Sequence, residues 1–152
     1  MQTLQARWKL VLLVTAVAGV CIFAFFPDYN TLQMSSDAND FTSTLGDDEG
    51  RATAANLSDL VFALSYGVLG VIAFNKLETG KIALVGSLLT ISAALADEIE
   101  NVLVLLNINS DALTNGDVDA MTTVGLVKWV LVIAAIILLI VVAIRGRATR
   151  TS

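Results

Sequence analysis

The sequence predicts an all-α membrane protein: a transmembrane four-helix up-down bundle, both termini cytoplasmic, built as a single four-span domain over residues 1–152. Three observations predict it. Hydrophobic residues make up 56% of the chain, charged residues only 15%, and mean hydropathy is +0.77, against about 45–50% apolar and about 25% charged for an average soluble domain. Four apolar runs, at about 10–26, 57–74, 82–106 and 121–144, have the length of membrane spans. Lysine and arginine fall almost wholly on one side of those runs. Arg7 and Lys9 precede span 1, Lys76 and Lys81 join spans 2 and 3, and Arg145, Arg147 and Arg150 follow span 4, while Arg51 alone lies in an outer loop. The positive-inside rule then puts the termini in the cytoplasm of a multi-pass protein of the plasma membrane.

Taken in order, the first run extends from Leu10 to Phe26 and stops at Pro27. A basic start and an apolar middle also describe a signal peptide. The run is long for one and ends in Phe23, Phe25 and Phe26, so an uncleaved span is expected, its aromatic end at the membrane interface. Residues 27–56 form the one sizeable polar connection. It carries Asp28, Asp37, Asp40, Asp47, Asp48 and Glu49, and is expected to be a solvated outer loop, with a short helix at most and a new helix starting near Arg51. Asn56-Leu-Ser58 matches a glycosylation acceptor triplet, a pattern common by chance and set here against a span. The second span is followed by the tight turn Asn75–Lys81. The third is followed by the polar loop Asn107–Ala120, which contains Asp111, Asp117 and Asp119. Leu113 stands where a calcium loop needs an oxygen ligand, so that loop is read as a turn.

Several function classes are excluded or disfavoured. Histidine is absent, which rules out His-ligated haem and removes the commonest general base, and Cys21 is the single cysteine, which rules out an internal disulfide or a CxxC motif. No cofactor is expected. The net charge of −5 and the lack of a basic arm argue against nucleic acid. An enzyme is not indicated, since a lipid-modifying activity would need a nucleophile or metal carboxylates near the headgroups. Ala63, Gly67 and Gly70 in span 2 and Gly125 in span 4 are expected to be helix-packing positions, within the chain or between copies.

The candidate site is a set of polar residues inside the spans. Successive helical residues are about 100° apart, so Asp97, Glu100 and Asn101 share one face of span 3, with Glu98 on its flank. Asp59, Phe62 and Tyr66 share a face of span 2, and Lys128 is the sole charge of span 4, beside Trp129. At about 1.5 Å per residue, Asp97 lies roughly 14 Å and Glu100 roughly 9 Å below the outer end of span 3, Lys128 roughly 10 Å below that of span 4, and Tyr66 roughly 14 Å down span 2. Asp59 is expected near the outer mouth, as an entry group. Charged residues within spans are costly, and pair with each other or serve function. Lys128 is therefore expected to pair with Asp97 or Glu100. The carboxylates outnumber it, so either one of them keeps its proton or a cation enters. If a metal ion binds, Asp97 and Glu100 are its candidate ligands.

The motifs Asp59-Leu-Val-Phe-Ala-Leu-Ser-Tyr66, Asp97-Glu-Ile-Glu-Asn101 and Lys128 together resemble a pattern in small uncharacterised four-span bacterial membrane proteins. The resemblance covers spans 2 to 4 and implies topology, with no activity attached. Two functions fit these residues. The first is a small membrane protein whose intramembrane cluster binds or relays a cation or proton. The second is an accessory subunit of a larger membrane complex, in which the cluster serves helix packing. The expected partners are the lipid bilayer and either further copies of the chain or other membrane subunits.

Overall fold

A computed structural model describes residues 2–148, with side chains from 10 to 145. The described residues form six helices in chain order, α1 (Gln2–Phe25), α2 (Tyr29–Gln33), α3 (Ala38–Leu45), α4 (Glu49–Leu77), α5 (Gly80–Ile108) and α6 (Asn115–Ala148), and contain no strand. Three of these, α4, α5 and α6 from Asn115 to Arg145, are long and apolar enough to cross a membrane, and the apolar part of α1, Leu10–Phe25, is shorter. The outward faces carry hydrocarbon. Leu64, Leu95, Leu126, Val130 and Ile137 are all exposed, an arrangement that water penalises and a bilayer accepts. The chain is thus a helical membrane protein.

Local chemistry sets the element boundaries. Pro27 disfavours helical geometry at the residue before it, and α1 ends at Phe25. The freed carbonyl of Phe25 accepts a hydrogen bond of 2.9 Å from Arg51 Nε, which gives this arginine a structural task at a helix C-terminus. Asp37 caps α3, its carboxylate accepting from the Asp40 N–H at 2.9 Å. Gly46, at φ +52°, stops α3, and Gly80, at φ +68°, makes the reversal from α4 into α5. Both positions lie in the left-handed region that favours glycine.

The long helices pack in a row: α1 along α4, α4 along α5, and α5 along α6. Small residues set the α4–α5 spacing, as expected where lipid removes the hydrophobic drive between helices and close approach supplies the contact. A Cβ on Gly67 would stand 2.8 Å from that of Ala94, and one on Gly70 would overlap the Thr90 side chain. On α6, a Cβ on Gly125 would lie 2.6 Å from Glu100 Oε1, so its absence makes room for that carboxylate against the helix backbone. Gly67 and Gly70 thus stand at the close approach of α4 to α5, and Gly125 beside the Glu100 side chain. Ala63, fully buried on α4, belongs to the same face.

The expected solvated outer loop is instead a folded cap. Tyr29 and Leu32 of α2 and Phe41 and Leu45 of α3 are buried, in one apolar cluster with Ile22, Phe26, Ala52, Val104, Val118 and Met121. Phe41 and Leu45 are one helical turn apart, and the intervening Thr42 and Ser43 face water. The Ala38 N–H donates to Asn115 Oδ1 at 3.0 Å and ties the cap to the start of α6. This end of the molecule, where water drives burial, holds the large apolar core. The other departures are at helix starts: α4 begins at Glu49 and α6 at Asn115, inside stretches expected to be loop. At α6, Thr114 and Asp117 exchange hydrogen bonds across the first turn and stabilise the earlier start.

Candidate functional site

The site is assembled where α4, α5 and α6 face one another beneath the cap. Asp97, Glu100 and Asn101 project from one face of α5 at 4%, 2% and 0% exposure, as their spacing requires. Lys128, at 6% exposure, comes from α6. Its Nζ lies 3.2 Å from Asp97 Oδ1 and also bonds Glu100 Oε2, so one ammonium serves two carboxylates. The second oxygen of Asp97 accepts from Tyr66 Oη at 3.0 Å. Trp129 places its ring centroid 5.6 Å from Nζ, adding a cation–π contact. The expected pairing of Lys128 with Asp97 or Glu100 is present with both.

Asp59 departs from expectation. It is buried rather than set at a mouth, because α2 folds over it, and its carboxylate accepts from Gln33 Nε2 at 3.1 Å. Glu98 is also apart, on the flank of α5, half-buried and not joined to Lys128. A second polar group was not anticipated from the sequence. Asn101 Oδ1 accepts from Tyr29 Oη at 3.1 Å and Gln33 Nε2 at 3.3 Å, and Asn56 Nδ2 donates to Tyr29 Oη. Burial pushes the Tyr29 hydroxyl well above its ordinary pKa, with Asp59 adding to the shift, so the phenol remains a neutral donor. Asn56 is fully buried, which removes it as a glycosylation acceptor. Its signal was available: Asn56 stands one turn before Asp59 on the same face of α4. Tyr29 and Gln33 are likewise one turn apart, but only a folded cap directs them inward.

Two cavities reach the charges. One, of about 480 Å3, runs between α1 and α6 over α4 and α5. Its polar end holds Tyr29, Gln33, Asp59, Asp97 and Lys128, and it continues past Phe74, Ala135 and Leu139. The other, of about 650 Å3, lies between α2 and α6 and leads from Ser35 and Ser36 to Glu100 and Gly125. Among the described residues no cluster of three or more His, Cys, Asp or Glu could hold a metal ion. Asp97 and Glu100, the candidate metal ligands, are instead joined through Lys128.

Comparison with protein-family models, curated proteins and solved structures finds no significant match to this chain. The fold and site therefore define it only as a helical membrane protein with a buried lysine shared by two carboxylates.

Proposed function

We propose that the chain binds a proton at the intramembrane cluster of Asp59, Asp97, Glu100 and Lys128 and exchanges it with the aqueous phase on the side of the α2–α3 cap. The observation that carries this reading is a charge imbalance under burial. Two carboxylates share a single ammonium, and a third, Asp59, lines the same cavity as Lys128. Uncompensated charge at membrane depth is costly, and protons offset the excess most simply. The cavity that leads to Glu100 supplies the path from the capped end. In this reading α1 completes a four-span up-down bundle in the cell membrane. The lysine and arginine distribution supports cytoplasmic termini and an acidic cap outside.

The test is proton uptake from the capped side. Protein is reconstituted into sealed vesicles with that face outward and an impermeant pH indicator outside, then given a small acid step. The expected result is a rapid uptake burst, stoichiometric with protein and absent from the Asp97→Asn/Glu100→Gln variant. A burst no larger than that of empty vesicles sinks the proposal. The accessory-subunit reading has one observation in its favour: Asp97 and Glu100 find their partners within the chain, as a purely packing cluster would. Stable co-purification with other membrane chains, without the burst, selects it.

A further inference from the structure

The cavity between α1 and α6 has a shape that proton binding does not use. These two helices lie at opposite ends of the packed row and, among the described residues, share no extensive packing, although both line the cavity, which makes it a crevice between them. One end is polar, with Asp59 and Asp97 against the single Lys128. The rest is largely hydrocarbon, from Phe23 through Val132 and Ile136 to Leu139. Its volume of about 480 Å3 is that of a small-molecule site. From Lys128 to Leu139 the groove follows α6 for about 16 Å, the length of an alkyl chain of about a dozen carbons.

We infer that this crevice binds an amphiphilic amine or quaternary ammonium, with its tail along α6 and its cationic head between Asp59 and Asp97. Charge selects the head. The polar end has more carboxylate than ammonium, counting Glu100 behind Lys128, so an anionic headgroup would be repelled and a neutral one would gain no attraction from the excess. Asp59 accepts a single hydrogen bond from the described residues, from Gln33, and has capacity for a further partner. The rings of Phe62, Tyr66 and Trp129 line the same end and suit an alkylated cation. The ligand reaches the crevice from the bilayer, between α1 and α6. The inference rests on the proposed proton site in one respect: a cation entering beside Asp59 displaces a proton from the cluster to the outer aqueous phase.

The experiment uses the full chain carrying Trp8→Phe, so that Trp129 is the sole tryptophan, in phosphatidylcholine nanodiscs. Dodecyltrimethylammonium, dodecanol and dodecyl sulfate are titrated below their micellar concentrations, following Trp129 fluorescence and pH together. The expected result is saturable binding of the ammonium, at least about ten-fold tighter than dodecanol, with no competition from dodecyl sulfate. Asp59→Asn should weaken it by about ten-fold or more. Ala135→Phe, which fills the tail region away from the charges, should do the same while leaving the uptake burst intact. Dodecanol binding as tightly as the ammonium overturns the inference, since the groove would then take any hydrocarbon chain. So does unchanged ammonium binding in Ala135→Phe. Tight ammonium binding without proton release upholds the ligand and removes the proton site, so the two readings fail separately.

Discussion

Lys128→Met is expected to lower the stability of the purified protein in detergent by about 2.5–3.5 kcal/mol, the scale of an uncompensated charge within a span. Both Asp97 and Glu100 lose their counter-charge at once, because a single Nζ serves them. The sharing makes a further, specific demand. Lys128→Met combined with Asp97→Asn leaves Glu100 unpaired, and combined with Glu100→Gln leaves Asp97 supported only by Tyr66. Each double variant should therefore recover part of the loss, and the triple variant most of it. The measurement is a pair of double-mutant cycles by denaturant titration. Additivity within about 0.3–0.5 kcal/mol in both cycles would show that Lys128 is energetically separate from the carboxylates.

The second large effect is expected at Gly70. An added Cβ would overlap Cγ2 of Thr90 and stand 2.8 Å from its Oγ1 and 2.9 Å from its Cβ. Thr90 cannot turn aside at low cost. It is β-branched and stiff within a helix, and its hydroxyl donates to the Gly86 carbonyl at 2.8 Å. Gly70→Ala should cost about 1–3 kcal/mol by forcing α4 and α5 apart, with partial recovery in Gly70→Ala/Thr90→Ala. Gly50→Ala is the control, since nothing lies within 4 Å of a Cβ there. It should be neutral, or stabilising by up to about 1 kcal/mol, through helix propensity alone. Equal thermal shifts for the two alanine variants would contradict the packing account.

These cases show which features were legible in the sequence. Within the apolar segments the rules are strict. Charges are rare, faces repeat at the helical period, and depth follows from residue count, so Asp97, Glu100 and Lys128 could be matched across α5 and α6 before any geometry was known. Gly67 and Gly70 follow a related rule, since close approach of helices in lipid needs small residues. The polar segment 27–56 obeys a different physics. Its acidic composition suggests solvation, but Tyr29, Leu32, Phe41 and Leu45 are spaced at about one turn within two short helices, and that signal is too brief to separate from chance. Folding of this cap is what buries Asp59, brings Gln33 to it and places Tyr29 on Asn101. Without the folded cap Asp59 would stand open at its end of α4. The crevice between α1 and α6 was not legible at all, because it depends on which helices fail to pack against each other.

The central claim is that the cluster holds protons because its carboxylates outnumber its lysine. Infrared difference spectroscopy of the protein in membranes tests this most directly, through the carbonyl stretch of protonated carboxyl groups at neutral pH, compared across Asp59→Asn, Asp97→Asn and Glu100→Gln. The account predicts at least one protonated-carboxyl band that a variant in this set removes, and that sharpens or shifts when another member is changed, since the groups titrate together. A spectrum with no such band, in the wild type and in all three variants, would mean that every carboxylate is ionised beside one lysine, and would contradict the account.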